Sequence, residues 1–184
     1  MKFLKLFIIF ICLSPSVKAD SKKNIINELK NGGKLIFIRH AYAPGSGDPS
    51  NFDISDCASQ RNLSNLGKIQ SKKIGLFFSK NNILIGKVYS SEWCRCKETA
   101  TIAFKSYEVK KFLNSFFGKK FTKNKDSQVA NLKKFIKNWD GKKNLVLITH
   151  YVVISEILNY GASSGEIVIS NKDLKVIDKF EIEY

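Results

Sequence analysis

A three-layer α/β/α sandwich around a mostly parallel sheet is the fold this sequence predicts. Two observations carry it. Residues 35–38 (LIFI) and, within the strand 144–148 (NLVLI), residues 145–148 are apolar throughout, without the alternation of a half-exposed strand, so both faces of the sheet must be covered. Between such runs lie stretches with apolar residues at helical spacing, and strands that alternate with helices build parallel sheets. At 184 residues, 43% of them hydrophobic, the chain suffices for one domain with a full core, and it shows no internal repeat.

Residues 1–19 stand apart from that domain, which is read as 20–184. Lys2 and Lys5 precede an apolar run from Leu6 to Leu13, and Val17-Lys18-Ala19 forms a small-x-small cleavage pattern. This is the pattern of a secretory signal cut after Ala19, and the run is too short to span a bilayer comfortably. The expected location is therefore the periplasm or the exterior, without stable membrane insertion after cleavage.

Residues 21–31 read as a short helix stopped by Gly32-Gly33, and 34–38 as the first strand. Residues 41–62 hold Pro44, Gly45, Gly47, Asp48 and Pro49 and read as a long ordered loop, of a length that is usually functional. Ser64 caps a helix running to about Lys80, with Leu66, Ile69, Ile74 and Phe77 at helical spacing. A strand over 86–89 and a helix over 93–104 follow. Residues 106–125 hold one short extended segment and an irregular lysine-rich link. A helix over 127–139 presents Val129, Leu132, Phe135 and Ile136 on one face. The strand at 144–148 leads into a helix over 151–160. Strands over 166–170 and 175–184 close the chain as a hairpin turned at 171–173.

The formal charge is +15, and +12 once Lys2, Lys5 and Lys18 leave with the signal. Such a charge attracts anions. The lysines are spread over every segment, however, and are not interleaved with aromatics on one face, so no nucleic-acid surface is read from them. Cys57, Cys94 and Cys96 remain in the mature chain. In an oxidising compartment Cys57 is expected to pair with Cys94 or Cys96, leaving one thiol. The C-x-C spacing of Cys94 and Cys96 does not match the usual structural zinc patterns, and no metal or cofactor is called for.

Against 28 lysines the chain has three arginines, Arg39, Arg61 and Arg95, and two histidines, His40 and His150. Ligands of parallel sheets bind beyond the carboxyl ends of the strands. LIFI ends in Arg39-His40, the KVY strand reaches Ser90-Ser91 and then Arg95, and NLVLI ends in Thr149-His150. Both histidines and two arginines thus fall at one sheet edge, and Arg61 sits in the long loop after His40. Arginine offers a planar fork that matches phosphate, which lysine lacks. Helix N-termini near Arg95 and after His150 add N–H donors. A neutral imidazole held in such a cluster can attack phosphorus.

Four segments also carry a resemblance. FIRHA resembles the Arg-His-Gly/Ala signature of the histidine phosphatase superfamily, with its phosphoglycerate mutase-like fold. SSEWCRCKETA is similar to that family's Ser-Ser-x-x-x-Arg-x-x-x-Thr-Ala segment, LVLITH to its second-histidine strand, and NLSNLGKIQSKKIG to its Leu-Ser-x-x-Gly-x-x-Gln helix start. Order and approximate spacing agree over about residues 33–160. The resemblance, to a small exported bacterial-type member, implies a phosphatase in which His40 becomes phosphorylated while Arg39, Arg95 and His150 complete the phosphate pocket. Arg61 is added from its scarcity alone. The implied partner is a small phosphorylated substrate or a phosphohistidine protein.

One departure bears on mechanism. Many members place an acidic residue soon after the arginine segment or directly after the second histidine. Here Tyr151-Val152 follow His150, and Asn114 and Ser115 stand in the middle region, with Glu92 and Glu108 the nearest carboxylates. Without a general acid, typically worth ~10² to 10⁴ in rate, good leaving groups such as phosphohistidine, acyl phosphates or anhydrides are favoured. A phosphate-binding module with little chemistry is the alternative. A mutase of glycolytic phosphates is disfavoured, because the signal directs the chain away from its substrates.

Overall fold

The computed structural model describes residues 24–184; residues 1–19, read as a secretory signal, lie outside them, as does the start of the first helix. Helix α1 (residues 24–30) leads into β1 (Leu35–Arg39). Then come α2 (Asn65–Lys80), β2 (Ile85–Ser90), α3 (Cys94–Phe104) and β3 (Glu108–Val109). The chain continues through α4 (Lys119–Thr122), α5 (Lys125–Asn138), β4 (Asn144–Thr149), α6 (Tyr151–Leu158), β5 (Ile167–Ser170) and β6 (Val176–Phe180). Among the described residues, no helix is long and apolar enough to cross a membrane.

The six strands form one sheet in the order β3-β2-β4-β1-β5-β6. The first four are mutually parallel, and β5 and β6 are antiparallel additions at one side. Successive residues of β1 point to opposite faces. Ile36 and Ile38 meet Leu29 of α1, Ile74 and Phe78 of α2 and Ala100 of α3. Leu35 and Phe37 meet Leu132 and Ile136 of α5 and Val153, Ile154 and Ile157 of α6. That is why LIFI carries no polar alternation, and it yields the three layers. The connection leaving β1 goes to one face and the helix leaving β4 to the other, so the carboxyl ends of these adjacent strands border an open crevice.

The expected elements are present with ends moved by a few residues. Three differences go further. The stretch expected to hold one extended segment also forms a 3-10 turn (Lys111–Leu113) and the short α4. Helix α6 stops at Leu158 because Asn159 takes the left-handed conformation, φ 50° and ψ 41°. Leu66 and Ile69, read as part of the buried stripe of α2, are each 45% exposed. The first half of α2 buries Gly67, Gln70 and Ser71 instead.

The reason lies in how α2 starts. Ser64 Oγ accepts the Gly67 N–H at 3.2 Å, and the Ser64 N–H donates to Tyr42 O at 3.2 Å. The helix therefore begins pressed against the loop leaving β1. A Cβ at Gly67 would overlap the Tyr42 carbonyl oxygen. One turn on, Gln70 accepts the Tyr42 N–H and donates to Ser164 O and Ile182 O, at 2.9, 2.8 and 2.6 Å. The Ser-x-x-Gly-x-x-Gln pattern thus fixes the backbone just beyond His40.

Gly67→Ala tests this. Forcing a methyl into a filled space costs about 1–3 kcal/mol, and alanine's gain of roughly 1 kcal/mol in helix propensity offsets only part of it. We expect a clear loss of stability in urea unfolding. A variant as stable as wild type would contradict the close approach.

Candidate active site

The crevice between the ends of β1 and β4 opens into a cavity of about 470 Å³. Arg39, His40, Arg61, Arg95 and His150, the residues singled out in the sequence, all line it, together with Asp48. Strand pairing places the two histidines: Arg39 is in register with Thr149, and the His40 N–H donates to Thr149 O at 2.9 Å. The imidazoles lie 5.4 Å apart between centroids, with planes inclined at 67°.

His40 is 2% exposed. Its Nδ1 lies 2.8 Å from the Ala41 carbonyl oxygen, which can only accept, so Nδ1 carries the proton and Nε2 keeps its lone pair. Burial, reinforced by the Arg95 charge, holds the pKa of His40 well below its ordinary value. His150 is depressed in the same direction, again by burial first and Arg95 second. Its Nε2 is 2.9 Å from Ser91 Oγ and 3.5 Å from Cys96 Sγ. Burial raises the Cys96 thiol to about 12, so it stays protonated.

The three arginines are held in different ways. Arg39 donates through Nη1 to Ala162 O at 2.9 Å, while its buried Nε has no partner. A buried donor without an acceptor is costly, and here it is a place for an anion's oxygen. Arg61 donates to Gly47 O at 2.7 Å and to Ala43 O, so it braces the loop as well as lining the cavity. Burial, then the Arg95 charge, bring its pKa down to about 10, which leaves it charged at neutral pH. Arg95, only 3% exposed, donates Nε–H to His40 Nε2 at 3.2 Å.

The remaining donors of Arg95 revise the sequence reading. Its terminal fork, expected on phosphate, holds Asp48: Nη1 reaches Oδ1 at 2.6 Å and Nη2 reaches Oδ2 at 3.2 Å, and Nη1 also donates to Arg61 O at 3.2 Å. Asp48 also accepts the Trp93 indole N–H at 2.9 Å and the Arg61 backbone N–H at 3.2 Å. Burial alone would push this carboxyl up, but Arg95 with the other two donors outweighs it and holds Asp48 below the usual carboxylate range. Removing one partner of such a buried pair costs about 3–5 kcal/mol.

Asp48 was not legible as a site residue. It is one of three aspartates in the loop, with Asp53 and Asp56, and nothing in the sequence separates them. Asp53 and Asp56 turn out to make local turn and cap bonds, to Ser55 and Ala58. Thr99, the threonine of the SSEWCRCKETA segment, has a structural part: its Oγ1 accepts the Ala41 N–H at 3.1 Å and donates to Arg95 O at 2.7 Å, tying α3 to the β1 exit. Glu92 and Glu108, weighed as acids, do not line the cavity. Glu92 binds Asn114, and Glu108 pairs with Lys87 and Lys110 at the surface.

Cys57 pairs with Cys94, not Cys96. Cys94 opens α3 facing the loop, whereas Cys96 lies two residues further round the helix, fully buried and free. The bridge therefore anchors the loop that carries Asp48 and Arg61 beside Arg95. Gln60 adds to this by accepting the Cys94 N–H at 2.9 Å.

No family model and no curated protein matches the chain. Solved structures do. The protein histidine phosphatase SixA, in a complex with tungstate, aligns over 80% of this chain and 96% of its own at 14% identity, with a TM-score of 0.56. The chain has the phosphoglycerate mutase-like fold. A phosphoglycerate mutase from Thermus thermophilus shares that fold over 82% of this chain and 99% of its own, at 13% identity and a TM-score of 0.57. So does a protein from Escherichia coli described as a putative alpha-ribazole-5'-P phosphatase, at 15% identity, the same coverage and a TM-score of 0.58.

The depressed histidines have a sign that can be measured. Each is neutral in the folded protein and, below about pH 6.5, protonated in the unfolded chain. The unfolded state then binds more protons, so stability is full above about pH 6.5 and is lost as pH falls toward the depressed folded values. We expect the urea midpoint to fall between pH 7 and pH 5, and His150→Asn to flatten that slope. An unchanged slope would contradict a neutral, buried His150.

Proposed function

We propose that this protein is a histidine phosphatase that hydrolyses a phosphomonoester or another phosphoryl compound through a phosphohistidine at His40. The observation that carries the reading is the nucleophile itself. His40 ends a buried strand with its proton fixed on Ala41 O, its lone pair at Nε2, and three arginines and a second imidazole around it. The Nε2 lone pair forms the bond to phosphorus, and the bond to the leaving group breaks with its electron pair. Water then attacks phospho-His40, the N–P bond breaks and inorganic phosphate leaves. Arg39 Nε, Arg95 and His150 are assigned to the phosphoryl oxygens, where charge develops. The names of the aligned structures, which include phosphohistidine and phosphoserine phosphatases, support the class of substrate: a small phosphorylated molecule or a phosphohistidine protein.

A second reading, phosphate binding with little chemistry, has one observation in its favour. Arg95 Nε–H occupies the lone pair that must attack. Export to the periplasm or exterior is part of the proposal; the N-terminal pattern supports it, and so does a Cys57–Cys94 bridge suited to an oxidising compartment.

A hydrolysis panel over phosphate esters and phosphohistidine, run with wild type and His40→Ala, separates the two readings. The phosphatase reading expects wild-type turnover that His40→Ala abolishes with the fold intact. Phosphate binding without turnover in wild type would favour the binding module. Arg95→Lys keeps the charge but cannot reach His40 and Asp48 together. We expect it to lose at least about tenfold in kcat/KM, or ~1.4 kcal/mol, and near wild-type activity would remove Arg95 from the site.

A further inference from the structure

The reaction proposed above needs a proton for the leaving oxygen, and the sequence offered no acid beside either histidine. The cavity does contain one carboxylate. Among the residues that line it, Asp48 alone is acidic. Glu166, the other carboxylate near Arg39, is held from behind by Tyr160 OH and the Ser163 N–H, at 2.7 and 2.6 Å.

Asp48 is bound in a way that a substrate can undo. The guanidinium groups of Arg39 and Arg61 are tied to backbone carbonyls, which cannot swing aside. The Arg95 fork makes one backbone bond, from Nη1 to Arg61 O at 3.2 Å, but both of its terminal nitrogens also bind the Asp48 side chain, which can. A phosphoryl dianion entering the cavity therefore competes with Asp48 for Arg95, its strongest available fork. We propose that Asp48 is the proton donor to the leaving oxygen, freed for that task when the phosphoryl group takes the Arg95 fork. This rests on the phosphatase reading.

The electrostatics follow from what faces the carboxyl. In the free protein Arg95 from α3, the Trp93 indole and the Arg61 N–H keep it ionised. With Arg95 turned to phosphate, Asp48 loses its counter-charge and meets a dianion, and like charge favours protonation. From the ends of β1 and β4 it shares the cavity with the neutral His40 and His150 and the charged Arg39. Lys119 and Lys120 of α4, at the mouth, oppose protonation from exposed positions where solvent screens them.

The proton arrives with the substrate. A phosphate ester has a second pKa of about 6, so a monoanionic ester can pass its proton to Asp48 on binding. His40 Nε2 then forms the N–P bond, the P–O bond breaks with its electron pair on the leaving oxygen, and that oxygen takes the Asp48 proton to give an alcohol. Asp48 is left as a carboxylate. In the second step it takes a proton from the attacking water as the N–P bond breaks and its electrons return to Nε2.

The test compares wild type with Asp48→Asn and Asp48→Glu in single-turnover reactions with 4-nitrophenyl phosphate, whose leaving group needs no proton, and propyl phosphate, whose leaving group does. Asp48→Asn is expected to lose at least ~10²-fold on propyl phosphate, in line with general acid assistance, and far less on nitrophenyl phosphate, with Asp48→Glu restoring part of the loss. Equal losses on both esters would make Asp48 a positioning residue only, and gains on both would make it a block on Arg95; either overturns the proposal. Should Asp48→Asn fail to fold, the wild-type pH profiles decide. The rate on propyl phosphate should fall above the ester's second pKa while that on nitrophenyl phosphate does not, and parallel profiles would overturn the assignment. If wild type forms no phosphohistidine even from nitrophenyl phosphate, the functional reading itself fails, a result distinct from a loss of leaving-group selectivity.

Discussion

The pairing of β1 with β4 is the constraint on which the site depends. These strands are central, parallel and buried on both faces, so their register is set by the core rather than by the site. That register puts the His40 N–H on Thr149 O, and hence His40 and His150 side by side where both strands end. A slip of one residue would turn Ile36 and Ile38 toward the α5–α6 layer and move His40 off the cavity. Apolar packing on both sides thus supplies the precision that the proposed phosphoryl chemistry needs.

Around that pair the chain assembles charge from distant segments. Arg39 comes from the strand, Arg61 and Asp48 from the long loop, and Arg95 from the first turn of α3. The loop is fastened to α3 four times: by the Cys57–Cys94 bridge, by Gln60 on the Cys94 N–H, by the Arg61 carbonyl on Arg95, and by Asp48 on Arg95 and Trp93. With three arginines and one carboxylate the lining carries an excess of two positive charges before the mouth lysines, which matches a phosphoryl dianion. The same excess, together with burial, keeps both imidazoles neutral and so keeps a nucleophile available.

Much of this was legible because it rests on local chemistry. Continuous apolar runs marked the central strands, Ser64 marked the start of α2, and the scarcity of arginine and histidine marked the residues that meet in the cavity. What stayed hidden depends on contacts between distant residues. Leu66 and Ile69 fit a helical stripe, but the stripe ignores the backbone of Tyr42, which only Gly67 lets approach. Asp48 finds its partner 47 residues away, and no spacing rule separates it from Asp53 or Asp56. The choice of Cys94 over Cys96 turns on which side of α3 faces the loop, a fact of helix orientation rather than of sequence distance.

The central claim is a covalent one, and trapping the intermediate tests it most directly. The full protein would be mixed briefly with a radiolabelled phosphoryl donor, quenched in alkali to preserve phosphohistidine, and mapped by peptide. The account predicts acid-labile phosphate on His40, formed no more slowly than product appears. Turnover without labelled protein, or acid-stable label on a serine such as Ser91, would contradict it.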